Sequence, residues 1–276
     1  MRFASIVLND APRWGVIDGE EIALIDLWPT LIDAIAADAL STITADDARD
    51  RVSIADAVWL PVIPTPGKIL CVGLNYENHR KETGRAIVGH PTIFTRFSDS
   101  QTGHRAPIIA PPESEQLDYE GELAVVIGRA GRRIPAADAL AYVAGYSCYN
   151  DGSIRDWQAH TIQFTPGKTW PDTGAFGPWL VTPDEFGALG PQRIQTRLNG
   201  ELMQSAPLAD MIFPVSKLIE YISTFTPLSP GDVIVSGTPG GVGAKRDPQV
   251  FMKPGDTVEV EIDGIGTLVN TIICRA

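Results

Sequence analysis

Apolar and polar residues alternate with two different periods along this chain, and the breaks between segments fall at Gly, Pro, Asn and Asp. The opening stretch reads as short strands: "FASIVL", "WGVID" and "EIALIDL" are separated by Asn-Asp, Pro and Asp-Gly-Glu turn signals. Residues 30–50 are Ala-rich with apolar residues at helical intervals, which predicts helix. Three prolines in "LPVIPTPGK" then interrupt the pattern, because Pro lacks a ladder donor and restricts its neighbour. That break predicts a small N-terminal domain over residues 1–64 and a larger domain over 65–276.

Beyond the break, "KILCVGL" predicts a buried strand. In "NYENHRKETG", Asn75 suits the N-cap of a short helix and Gly84 its stop. Further helices are predicted over "PAADALAYVAG", with Pro135 in the first turn, and over the amphipathic "PVSKLIEYISTF", opening at Pro214. "RIQTRLNGELMQS" predicts a hairpin, since Asn199-Gly200 suits a type I′ turn. "SPGDVIVSG" and "KPGDTVEVEIDGIGTLVNTI" each leave a Pro-Gly-Asp turn as strands, the second folding back at Asp263-Gly264. Strands outnumber helices, and no regular βαβ alternation runs through them. The pattern predicts a mixed α+β fold, mostly β and largely antiparallel, with accessory helices.

Composition narrows the function classes. The chain has 276 residues and a formal net charge of −12, which argues against a nucleic-acid partner. No run approaches the ~20 apolar residues of a membrane span. The N-terminus has no long apolar segment of the kind a signal peptide carries. Cys71, Cys148 and Cys274 share no metal-ligand spacing, and read as buried free thiols in a reducing cytoplasm. Neither GxGxxG nor GxxxxGK[ST] occurs, so nucleotide binding has no motif behind it.

Candidate chemistry begins in "LDYEGELAVVIG", Leu117 to Gly128. On a strand, Glu120 and Glu122 share a face, next to a run of aliphatics. Two such acids fit either a wet strand edge, where they cost little, or a divalent cation site, where the ion turns repulsion into attraction. Asp151, at the end of "YSCYND", could supply a third carboxylate; it is equally an ordinary helix cap. Arg155 and Gln158 follow at i+4 and i+7, and would share its face on a helix starting there. His79 and Glu82 are i, i+3 neighbours, suited to general acid-base work or simply a surface pair. Lys168 in "TPGKTW" and the glycine-rich loop from Gly237 to Gly243 read as ligand-facing loops or as generic turns.

Taken in order, these stretches resemble the fumarylacetoacetate hydrolase family over residues 66–276. The resemblance is carried by "KILCVGLNYENHRKE", "LDYEGELAVVIGRAGR", "GYSCYNDGSIRDWQ", "GPWLVTPDEF", "NGELMQS", "MIFPVSKLIEYISTFTPLSPGDVIVSGTPGGVG" and "KPGDTVEVEIDGIGTLVN". It implies a distorted β-roll core with a small N-terminal domain, a homodimer, and a Mg²⁺, Mn²⁺ or Ca²⁺ site made by Glu120, Glu122 and Asp151. It implies His79 and Glu82 as an acid-base dyad, with Lys168 as a further catalytic group. Arg155, Gln158, Gly237 and Thr238 are implied on the substrate side. Three departures from the family pattern bear on the substrate rather than the metal. Arg96 in "FTRF" stands where many relatives carry Lys, Gly152 follows Asp151, and Thr169-Trp170-Pro171 follow Lys168.

Members of the family act on 2-oxo acids and acylpyruvates. The resemblance therefore implies an acylpyruvase-type hydrolase of aromatic catabolism. It would cleave a C–C bond of a 2,4-dioxo acid such as an acylpyruvate or fumarylpyruvate and collect the electrons on a pyruvate enolate at the cation. Oxaloacetate-type decarboxylation and 2-oxo-dienoate hydration or isomerisation share the same residues and stand as alternatives. A non-catalytic metal-binding β protein would have no use for Lys168 or the His79–Glu82 pair.

Overall fold

The computed structural model describes residues 1–84, 86 and 89–274. The N-terminal strands are β1 (Arg2–Leu8), β2 (Ala11–Asp18), β3 (Glu21–Leu24), β4 (Asp50–Ser53) and β5 (Val58–Trp59). There follow β6 (Ile69–Gly73), β7 (Thr92–Arg96), β8 (Gln101–Thr102), β9 (Ile108–Ala110), β10 (Leu117–Asp118), β11 (Gly121–Ile127), β12 (Val143–Asp151), β13 (Ser153–Ile154) and β14 (Gly174–Val181). The last strands are β15 (Arg193–Leu198), β16 (Glu201–Pro207), β17 (Val233–Val235), β18 (Thr257–Ile262) and β19 (Gly266–Cys274). The α-helices are short: α1 (Leu31–Ala36), α2 (Glu77–Glu82), α3 (Arg155–Gln158), α4 (Thr165–Lys168), α5 (Pro183–Phe186) and α6 (Val215–Phe225). The fold is mixed and mostly β, as the strand and turn signals predict.

One long sheet runs in the order β4-β3-β2-β1-β14-β12-β11-β17-β6-β7. The N-terminal strands join it through an antiparallel pairing of β1 with β14. A second sheet, β16-β15-β18-β19-β9, packs across one face of it. Leu123, Val125 and Ile127 of β11 face that second sheet, beside Val260, Ile262 and Leu268. Ala124 and Val126 face the opposite side, in a core with Phe3, Trp14, Ile35, Tyr149 and Phe176. A strand buried on both faces needs no polar alternation, which accounts for the unbroken aliphatic run.

Register then brings one end of the sheet together. Glu122 lies opposite Tyr149, and Asp151 pairs with Gly174 of β14. The Asp151 amide donates to the Glu120 carbonyl, which places Glu120 beside Asp151. Strand β17 runs parallel to β6, so both leave the sheet at this same end, one into the Gly237 loop and the other into α2.

The predicted hairpins form. Asn199 and Gly200 both take positive φ between β15 and β16, and β18 turns into β19 through Asp263-Gly264-Ile265. Helix α6 opens at Pro214.

Other expectations change. The only helical turns in residues 30–50 are α1, opened by a Thr30–Asp33 capping box, and a 3₁₀ turn with its own box at Thr44 and Asp47. The helix expected over "PAADALAYVAG" is a single 3₁₀ turn, Ala139–Tyr142, leading into β12. Pairing of β12 with β11 on one side and β14 on the other overrides the local helix preference of the alanines. Cys274 is exposed, whereas Cys71 and Cys148 are buried. No described helix is long and apolar enough to cross a membrane.

Asn75 is not the cap of α2; that position is Tyr76. The Asn75 amide instead donates to the carbonyls of Phe213 and Ser236 and accepts from the Phe213 amide. It is fully buried and ties the start of α2 to the end of β17. Replacing Asn75 with Ala orphans these partners, so it should destabilise the fold by about 2–4 kcal/mol. Urea unfolding measures this, and a loss of a few tenths would show the tie to be unimportant.

Candidate metal centre and active site

Glu120, Glu122 and Asp151 are all buried, and a ligand oxygen from each lies within 4.8 Å of the others. The shared strand face is therefore not a wet edge. Each carboxylate has one oxygen already committed to a fixed donor. Asp151 Oδ1 accepts from Arg96 Nη1 at 2.7 Å. Glu120 Oε1 meets Arg155 Nη1 at 2.7 Å. Glu122 Oε2 accepts from the Gly237 amide. That leaves one oxygen from each: Glu120 Oε2, Glu122 Oε1 and Asp151 Oδ2.

Lys168 Nζ sits 2.7 Å from Glu120 Oε2 and 2.6 Å from Asp151 Oδ2, at 5.1 Å from the centre of the Phe94 ring. The ammonium thus bridges two of the three free oxygens. Lys168 ends the one-turn helix α4 and is buried, rather than being presented by a loop. Burial works against its charge, yet Asp151 and Glu120 hold its pKa above the ordinary value. Burial would likewise raise Glu120, but Lys168, Arg155 and His79 outweigh it and keep this carboxyl low. Glu122 goes the other way: burial, then Asp151 and Glu120, push it well up. Of the three, Glu122 lacks a direct cationic partner among the described residues.

Arg155 opens α3, and the helix does not start at Asp151 as the spacing suggested, because Ser153–Ile154 pair with β10 first. The intended convergence still occurs. Arg155 reaches Asp118 through Nε at 2.7 Å, Glu120 through Nη1, and Gln158 through Nη1 at 3.0 Å. Its Nη2 has no protein partner among the described residues. Asp118 also accepts the amides of Gly243 and Ala244, so it joins α3 to the glycine-rich loop. It was missed, although the two-residue rule that pairs Glu120 with Glu122 extends back to it.

On the other wall, His79 Nδ1 lies 2.7 Å from Glu82 Oε1. Glu82 Oε2 accepts from the Gly241 amide, and Asn78 accepts from Gly240, which docks α2 on the loop. Gly237 has φ +101, and a Cβ there would fall 2.6 Å from Asn75 Cβ. Its amide serves Glu122. The Thr238 hydroxyl donates to the Gly121 carbonyl and accepts from Gln204.

A cavity of about 480 Å³ opens onto these groups. His79, Glu120, Glu122, Arg155, Gln158, Lys168 and Thr238 all line it. Gly237 and Glu82 stand behind that lining, holding Glu122 and His79. Lys245, which no motif singles out, also lines it and is exposed, with no ion pair among the described residues.

The profile of the C-terminal fumarylacetoacetate (FAA) hydrolase domain matches residues 68–273. The chain belongs to the fumarylacetoacetate hydrolase family. Among its relatives, a mitochondrial oxaloacetate tautomerase of Rattus norvegicus, Fahd2a, is 42% identical over 220 residues, covering 79% of this chain and 70% of that protein. The mitochondrial oxaloacetate tautomerase FAHD2A of Homo sapiens is 41% identical over 221 residues, with the same coverage. The solved fumarylacetoacetate hydrolase of Exiguobacterium antarcticum superposes with a TM-score of 0.90 at 34% identity, over 100% of both chains. A 2-hydroxyhepta-2,4-diene-1,7-dioate isomerase of Mycobacterium marinum gives 0.83 at 31% identity, covering 100% of this chain and 99% of that one. The chain is thus similar to enzymes whose names span hydrolysis, isomerisation and tautomerisation.

The donor set fits a divalent cation of the hard, oxygen-preferring kind: three carboxylates, each with one oxygen not held by an arginine or a backbone amide, and no sulfur or imidazole among the ligands. A cation there would compete with Lys168 Nζ for Glu120 Oε2 and Asp151 Oδ2. Replacing Lys168 with Met should therefore lower the melting temperature of the chelator-treated protein, since breaking a buried pair costs about 3–5 kcal/mol. Mn²⁺ should then restore more stability in the variant than it adds to wild type. Equal Mn²⁺ shifts in calorimetry would show that Lys168 and the ion do not share oxygens.

Proposed function

We propose that this chain moves a proton next to the keto group of a short 2-oxo acid, interconverting enol and keto forms, with oxaloacetate as the lead substrate. The observation that carries the reading is that His79, braced by Glu82, lines the same cavity as Lys168, Arg155, Glu120 and Glu122, with Asp151 held behind Lys168. The names of the rat and human relatives supply the direction. Mg²⁺ or Mn²⁺ at Glu120, Glu122 and Asp151 would supply Lewis-acid polarisation of the keto oxygen when bound.

The protein's own groups do the rest. Arg155 offers its unpartnered Nη2 to the carboxylate next to the keto group, and Gln158 fixes the guanidinium. Lys168 places positive charge where the enolate oxygen carries its negative charge. Glu82 holds the His79 ring through Nδ1, so Nε2 gives or takes the proton at the neighbouring carbon. In ketonisation, one proton leaves the enol hydroxyl and one arrives at carbon, so the reaction is balanced without water. Lys245 at the rim meets the second carboxylate of a dicarboxylic substrate.

Hydrolysis of a 2,4-dioxo acid is the second reading, favoured by full-length similarity to the E. antarcticum fumarylacetoacetate hydrolase. The same dyad would then activate a water for attack on the distal carbonyl. Decarboxylation of oxaloacetate would use the enolate stabilisation alone. A homodimer in a reducing cytoplasm completes the proposal; two of its three cysteines are buried.

With Mg²⁺ or Mn²⁺, loss of the enol absorbance of oxaloacetate should outpace cleavage of acylpyruvates and of fumarylpyruvate. Faster C–C cleavage would replace tautomerisation with hydrolysis. Glu82→Gln should reduce kcat about 100-fold, the usual scale for losing a positioned acid-base partner. Lys245→Met should raise KM for oxaloacetate about threefold to fivefold, as an exposed ion pair is worth under about 1 kcal/mol. It should leave a 2-oxo monocarboxylate unaffected, and an equal change for both would remove Lys245 from the substrate.

A further inference from the structure

Arg96, Gly152 and the Thr169–Pro171 segment meet at one point in space. Arg96, at the end of β7, is 2% exposed. Its Nη1 donates to Asp151 Oδ1 at 2.7 Å and to the Gly152 carbonyl at 3.0 Å. Its Nη2 donates to Thr173 Oγ1 at 2.7 Å and to the Ser100 carbonyl at 3.4 Å, and its Nε donates to Ser100 Oγ at 3.2 Å. Thr173 in turn donates to the Trp170 carbonyl at 2.7 Å. Gly152 and the Thr169–Pro171 segment are thus partners of the same guanidinium, directly or through one hydroxyl. Room for it comes from Gly174, where a Cβ would stand 2.7 Å from Arg96 Nη2 and 2.7 Å from the Tyr149 hydroxyl.

This is more restraint than a counter-ion needs. A lysine at position 96 would neutralise Asp151 with a point charge that can turn. A guanidinium held at five contacts fixes the plane of the carboxylate as well. Asp151 Oδ1 is kept turned to Arg96, and Oδ2 is left facing Glu120 and Lys168.

We propose that Arg96 is a positioning residue that sets the cation preference of the site, by restricting Asp151 to a single ligand oxygen. Arg155 and the Gly237 amide restrict Glu120 and Glu122 in the same way. Three single oxygens suit a small six-coordinate ion, Mg²⁺ or Mn²⁺. Ca²⁺ takes about six to eight oxygens at longer distance and commonly uses both oxygens of a carboxylate. Freeing Asp151 Oδ1 should therefore help Ca²⁺ more than Mn²⁺. The proposal rests on the acid trio holding a cation and does not depend on which reaction the chain runs.

The test is calorimetric titration of the metal-free full chain with Mn²⁺ and with Ca²⁺, for wild type, Arg96→Lys and Thr173→Val. Thr173→Val keeps the charge of Arg96 and removes one anchor, so it decides the matter if Arg96→Lys does not fold. Wild type should bind Mn²⁺ more tightly than Ca²⁺. Both variants should narrow that ratio by about tenfold, the lower end for losing a partner of a metal ligand. A residue with only a structural role would weaken both ions alike and leave the ratio unchanged. An unchanged ratio, or a wild type that prefers Ca²⁺, overturns the proposal alone. A wild type that binds neither ion overturns the metal site and the proposal with it.

Discussion

Three carboxylates buried within reach of one another are the constraint on which this end of the molecule depends. Each would cost several kcal/mol to hold as an anion without compensation. The fold compensates with Arg96, Arg155 and Lys168, while Asp118 adds a fourth carboxylate that shares Arg155. Four acids therefore face three fixed cations. The remaining deficit falls on Glu122, which accepts from the Gly237 amide, has no cationic partner among the described residues, and has its pKa pushed well up by burial and then by Asp151 and Glu120. A divalent ion would remove the deficit, and an anionic substrate would then balance the added charge. Metal and substrate would be coupled in this way by charge alone, before any reaction is considered.

The architecture supplies the positions. Glu120 and Glu122 sit where β11 enters a region buried on both faces, so neither can turn toward water without moving the strand. Asp151 arrives by register with β11, and Arg96 by the pairing of β7 with β6. Parallel β6 and β17 deliver α2 and the glycine-rich loop to the same edge, and Asn75 ties them together. Groups far apart in sequence thus stand on rigid strand ends, which suits a site that needs defined oxygens rather than mere negative charge.

Local rules made much of this legible. Two-residue periodicity placed Glu120 and Glu122 on one face, and turn chemistry gave the Asn199-Gly200 and Asp263-Gly264 hairpins. Ordered motifs joined Asp151, Lys168 and the His79–Glu82 pair to them. What escaped was set by long-range contact. Nothing near Arg96 in sequence announces Asp151, which is 55 residues away. Asn75 looked like a cap because its partners, Phe213 and Ser236, lie far along the chain. The alanines of 135–145 carry helix propensity, but the strand pairing of Val143–Asp151 outweighs it. The bridging position of Lys168 depends on distances no spacing encodes.

The central claim is that Glu120, Glu122 and Asp151 together hold a single divalent ion, which competes with Lys168 for the carboxylates of Glu120 and Asp151. Anomalous diffraction from crystals grown with Mn²⁺ tests it most directly. One peak is expected among the carboxylates of Glu120, Glu122 and Asp151, with Lys168 Nζ withdrawn from between Glu120 and Asp151. A map with Lys168 still bridging those two carboxylates, and manganese bound elsewhere or not at all, would contradict it.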